Sequence, residues 1–174
     1  MIYGKDESKS FLMVLIPLLL LAMILQIVHL PEVISVNRPD LLTLVILFFS
    51  IYTNFNLKLE ISWVVGILLD LSTGAPLGIN ALIITLQIYL INTNFRNFEK
   101  YSLWQQVIIV GIINMLVNIL CYWIEHIIGQ SYYEVNFLIP SLATALFWPV
   151  VYVLCLILCK SFSISVEKKE KTDI

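Results

Sequence analysis

Acid–base chemistry in this chain could come from three residues, Asp70, Glu125 and His126. A carboxylate or imidazole works as a general acid or base only within hydrogen-bond reach of its target and with access to water. Nothing in the spacing of these three residues demands that they meet. The adjacent Glu125-His126 pair could also bind metal, but it has neither the H-E-x-x-H spacing nor a third ligand. No G-x-S-x-G nucleophile elbow and no Walker phosphate loop occur. Cys121, Cys155 and Cys159 lie inside apolar runs and read as small buried hydrophobes. The sequence therefore predicts no catalytic residue, no cofactor and no metal.

The other chemistry-bearing residues sit within apolar runs. Gly111, Asn114, Asn118, Tyr122 and Glu125 recur at steps of three and four and so share one helix face. Ser141, Thr144, Trp148, Tyr152, Cys155 and Cys159 form a second such row, and Asn80 and Gln87 lie seven apart in a third run. Amides and a carboxylate are costly in hydrocarbon without partners, so these faces should turn toward one another. Interhelical hydrogen bonding is the simpler reading and a small polar cavity the other.

The elements that carry these residues belong in a bilayer. Of the 174 residues 60% are hydrophobic and 13% charged, where a soluble domain has about 45–50% and about 25%. The net charge of −2, with no basic run among the apolar segments, points away from nucleic acid. Six apolar runs follow one another: 11–30, read as an uncleaved signal anchor, then 40–55, 57–71, 77–91, 103–128 and 137–159. The second and third are short, at about 23 Å of helix for 15 residues, and need snorkelling ends, a locally thinned bilayer or protein cover. With six spans and both termini in the cytoplasm, the inner segments hold Lys5, Lys9, Lys58, Arg96, Lys100, Lys160, Lys168, Lys169 and Lys171, and the outer loops only Arg38. The expected fold is all-α: a polytopic bundle of six transmembrane helices, one integral-membrane domain over 1–174 with a charged cytoplasmic tail, 161–174. Pro17 and Pro149 should bend the first and last helices.

Between the third and fourth runs stands Gly66-Ile-Leu-Leu-Asp70-Leu-Ser-Thr-Gly74-Ala-Pro76-Leu-Gly78-Ile-Asn80. Gly74 suits the positive φ of a helix end, and Pro76 suits the first turn of the next helix. Asp70 is at the C-terminus of its helix, the unfavourable end of the macrodipole for a carboxylate. It calls for a reason: a hydrogen bond to the broken turn, a basic partner such as Arg38, or a contact in another protein. If the role is structural, Asp70→Asn should be mild. Asp70, Gly74, Pro76, Gly78, Asn80, Asn114, Asn118 and Glu125 are the candidate structural or partner-binding residues.

Arg38-Pro39-Asp40-Leu41-Leu42, the Gly66-to-Leu82 stretch and Leu146-Phe147-Trp148-Pro149 resemble the rod-shape-determining MreD family over nearly the whole chain, although Asn80 stands where many relatives have histidine. The resemblance implies a non-enzymatic scaffold in the bacterial inner membrane. It would bind the single-span protein MreC and support the elongation complex of MreB, RodA and its transpeptidase in cell shape and peptidoglycan synthesis. It leaves room for a homodimer within that complex, with membrane lipids around it. It also implies a fold similar to the substrate-binding components of energy-coupling-factor vitamin transporters, which supplies the rival function. Those components dock through a small-xxx-small face on the first helix, and in 11–30 the sole small residue is Ala22. An intramembrane enzyme using Asp70, Glu125 and His126 is the third reading.

Overall fold

A computed structural model describes residues 3–28, 38–53, 59–128 and 138–162, with backbone alone for 3–10, 125 and 128. Among the described residues there are six α-helices and one 3-10 turn: α1 Tyr3–Ile27, α2 Leu41–Tyr52, α3 Leu59–Thr73, α4 Ile79–Asn94, the turn Phe98–Lys100, α5 Leu103–Ile128 and α6 Leu138–Ser161. The apolar runs thus became helices, with α5 matching its expected bounds. The first helix begins earlier than its apolar run, because the charged head from Tyr3 continues the same helix. Pro17 and Pro149 both lie inside continuous helices. The tail from residue 163 lies outside the described residues.

α2 is the centre of the molecule. Around it α1, α3, α4, α5 and α6 form a ring, each touching its ring neighbours, while α2 itself packs on α1, α4 and α6. Ten of its twelve residues are buried, from Leu42 to Tyr52 with Ser50 excepted. A helix apolar on every side is stable only where every side is covered. Protein supplies the cover for α2. Phe48 stacks on Tyr52 at 5.1 Å and meets Phe49 edge-on at 5.4 Å, and Phe49 meets Phe11 of α1 at 5.7 Å.

The ring helices show the opposite pattern, buried inward and apolar outward. Leu12, Met13, Ile16, Leu20 and Ile24 of α1, Ile108, Ile112, Leu116 and Leu120 of α5, and Leu142, Leu146, Val150 and Ile157 of α6 are all exposed. α5 over Leu103–Ile124 and α6 over its whole length are long and apolar enough to cross a membrane, yet only 33% of each apolar window is buried. Exposed apolar surface on this scale suits lipid rather than water.

α3 and α4 approach each other closely. A Cβ placed on Gly66 would lie 2.2 Å from the Ala81 Cα, so the two backbones touch where glycine meets alanine. Ser62, Gly66 and Asp70 are spaced by four along α3 and put small or short residues on that face. Gly66→Val should force the hairpin apart and lower detergent-phase stability by about 1–3 kcal/mol. Leu68→Ala, at an exposed position, should leave the melting temperature near that of the parent; equal melting of both variants would contradict the tight packing.

Candidate functional site

Three groups of polar side chains gather at helix ends. At the α3–α4 apex Asp70, 0% exposed, receives two backbone N–H groups: Gly78 donates to Oδ2 at 2.8 Å and Asn80 to Oδ1 at 3.0 Å. The carboxylate stands at the C-terminus of its own helix but at the N-terminus of α4. There the dipole favours a negative charge and the first N–H groups need acceptors. Of the three reasons open for Asp70, the structure realises the hydrogen bond to the turn. Gly74 (φ +72°) ends α3, with its N–H donated to the Asp70 carbonyl at 2.9 Å, and Gly78 (φ +99°) precedes α4. Pro76 stands three residues ahead of α4 instead of in its first turn, and its carbonyl accepts the Ile79 N–H.

Arg38 serves a different helix. Its guanidinium donates to the carbonyls of Gln26, in the last turn of α1, and of Val28, one residue past its end, as a cation at a helix C-terminus should. Two residues on, Asp40 opens α2. Its carboxylate accepts Thr43 Oγ1 at 2.6 Å and Gln26 Nε2 at 3.2 Å. Its N–H donates to Thr144 Oγ1 at 2.9 Å, and that hydroxyl donates onward to the Pro140 carbonyl at 2.8 Å. One short segment thereby ties α1, α2 and α6 together.

A third junction lies at the opposite end. Gln106, 2% exposed, shares the two N–H groups of Nε2 among Tyr52 Oη (2.9 Å) and the carbonyls of Phe98 and Tyr101 (both 3.1 Å); its Oε1 accepts Trp148 Nε1 at 3.0 Å. It joins α2, the 3-10 turn, α5 and α6. Sequence reasoning missed it. The row from Asn118 back through Asn114 passes Val110 and reaches Gln106 at the next step of four, and one apolar residue hid the continuation.

Asn114 and Asn118 face α6: Asn118 Nδ2 donates to Asn114 Oδ1 at 2.9 Å and lies 3.4 Å from Ser141 Oγ. Beside them a Cβ on Gly111 would sit 3.0 Å from the Ala145 Cβ. Glu125 is in α5, but its side chain lies outside the described residues. His126 is exposed and stacks on Tyr122 at 5.4 Å. Among the described residues no group of three His, Cys, Asp or Glu could hold a metal. The arrangement terminates helices and joins them, and its acidic groups are engaged by N–H, amide and hydroxyl donors.

The family model for rod shape-determining protein MreD matches residues 7–158. The chain belongs to the MreD family. A curated relative, MreD of Haemophilus influenzae, is 25% identical over 134 residues, covering 77% of this chain and 83% of the relative. No solved structure matches, so the likeness to energy-coupling-factor components finds no support there. Family membership brings a rod-shape-determining role, a place in the membrane and association with the rod-shape complex; the family is a shape-determining structural one.

Because both Asp70 oxygens accept N–H groups, the expectation of a mild Asp70→Asn changes. An amide there keeps one acceptor and sets an NH2 against a backbone N–H. The variant should lose about 1–3 kcal/mol in detergent melting. Gly74→Val should also lose stability, through its φ alone, since no atom lies within 4 Å of a Cβ at that position. Parent-like melting of both would contradict the role assigned to the apex.

Proposed function

We propose that the chain is a non-enzymatic inner-membrane scaffold of the cell-elongation complex. It is one integral-membrane domain of six membrane-embedded helices with both termini in the cytoplasm. It binds an MreC-like bitopic protein, and through it supports the machinery of MreB, RodA and its transpeptidase in peptidoglycan synthesis. A homodimer within that complex is compatible with this reading. Family membership supports the role, and the use of the buried and half-buried polar groups carries the scaffold reading. Asp40, Asp70, Gln106 and Thr144, each at a junction described above, hold helix ends and turns in place. A bundle built this way offers a partner a fixed shape. Asp70, Gly74, Pro76, Gly78 and Asn80 at the apex, with Asn114, Asn118 and Glu125 in α5, remain the residues proposed to set the shape or meet the partner.

One observation bears on the vitamin-transporter alternative. Ala22 is 4% exposed and belongs to the core, while the outward face of α1 carries Leu12, Met13, Ile16, Leu20 and Ile24. A face of large residues keeps another helix at a distance.

Affinity purification from native membranes separates the two. A bitopic MreC-like protein should co-elute; ATPase subunits in its place would favour the transporter. The topology follows from the nine-to-one distribution of Lys and Arg. In intact cells a cysteine replacing Ile127, 81% exposed at the end of α5, should react with an impermeant thiol reagent from outside, and one replacing Asn97 should not. The reverse pattern would overturn the topology.

A further inference from the structure

The α3–α4 hairpin is shorter than the membrane around it. α3 has 15 residues and α4 has 16, about 22 and 24 Å of helix against about 30 Å of hydrocarbon. Its feet are marked by charge. Glu60 lies in the first turn of α3 and Arg96 just beyond α4, both exposed, with exposed Trp63 about one turn and exposed Tyr89 about two turns inward, toward where interfacial aromatics sit.

Between Glu60 and Arg96 the sequence contains one charged residue, Asp70, and it is wholly buried. The apex itself reads Leu71-Ser-Thr-Gly-Ala-Pro-Leu77. By contrast, the other two connections assigned to the same side contain Glu32 and Arg38, and Glu134. The polar side chains of the apex turn back on the hairpin. Asp70 takes the Gly78 and Asn80 N–H groups, Ser72 Oγ donates to the Leu68 carbonyl at 2.7 Å, and Thr73 Oγ1 donates to the Leu69 carbonyl at 2.9 Å. Leu71 and Leu77 point outward, 63% and 71% exposed. A turn in water has no need of internal partners for its hydroxyls, whereas a turn in hydrocarbon does.

We propose that the α3–α4 apex ends inside the hydrocarbon of the outer leaflet, with Leu71 and Leu77 against lipid acyl chains. The side of the membrane rests on the topology proposed above; the depth rests on the hairpin. The apex stops about 6–8 Å short of the far edge of the core unless the bilayer thins to meet it. α5 and α6, at 26 and 24 residues, reach about 39 and 36 Å. The protein is therefore thin on one flank and thick on the other.

The test uses the full-length protein in lipid nanodiscs, where both aqueous faces are open and topology does not enter. Cys121, Cys155 and Cys159 are replaced by Ala, and Leu77→Cys, Ile127→Cys or Asn97→Cys is added singly. A water-soluble maleimide needs the thiolate, so Leu77→Cys in palmitoyl-oleoyl lipids should react about tenfold or more slowly than the other two. In dilauroyl lipids, whose hydrocarbon is thinner, its rate should rise toward theirs. Reaction of Leu77→Cys as fast as Ile127→Cys in the thicker bilayer would overturn the proposal. Slow reaction in both bilayers would overturn it too, because protein rather than lipid would then be the shield.

Discussion

α2 has twelve residues, about 18 Å of helix, and five other helices stand around it. So short a helix falls well below the ~30 Å hydrocarbon thickness of a bilayer, and in a membrane its ends would depend on protein groups rather than water. Every helix leaves four N–H groups and four carbonyls unpaired at its ends, and each one stranded in hydrocarbon costs several kcal/mol. Several polar residues answer that demand: Thr144 accepts the Asp40 N–H at the start of α2, Gln106 takes the Phe98 and Tyr101 carbonyls, Arg38 takes carbonyls at the end of α1, and Asp70 takes the first N–H groups of α4, while side-chain bonds of Asp40 and Tyr52 tie the ends of α2 to neighbouring elements.

These terminations join segments far apart in the chain. Thr144 reaches Asp40 across 104 positions, and Gln106 reaches Tyr52 across 54. Apolar packing inside a membrane gains little from the hydrophobic effect, since lipid solvates leucine as well as protein does. Close backbone contact at Gly66–Ala81 and directional hydrogen bonds between helices then carry more of the specificity. For a member of a shape-determining family, such a bundle suits presentation of a fixed surface to a partner in the membrane, the role proposed above.

Much of this was legible in the residues. The apolar runs marked the helices, the three- and four-residue rows marked their inward faces, and Gly74 and Gly78 marked the apex, because each rests on local periodicity or local backbone preference. The position of α2 was not legible. A helix apolar on all sides looks the same whether lipid or protein surrounds it, so 40–55 could have faced either. Asp70 presented a contradiction with its own helix, but its partners stand eight and ten residues further on, across a turn whose path no periodicity fixes. Gly66 was in view as part of the apex stretch, yet its contact with Ala81 depends on the register of the hairpin.

Amide hydrogen exchange at Gly78 and Asn80, measured on the full-length protein in lipid nanodiscs, tests the central claim most directly. If Asp70 terminates α4 in place of water, both amides should exchange as slowly as mid-helix amides of α4 in the parent, and about tenfold or more faster in Asp70→Ala. Fast exchange at both positions in the parent, or slow exchange unchanged by the substitution, would contradict it.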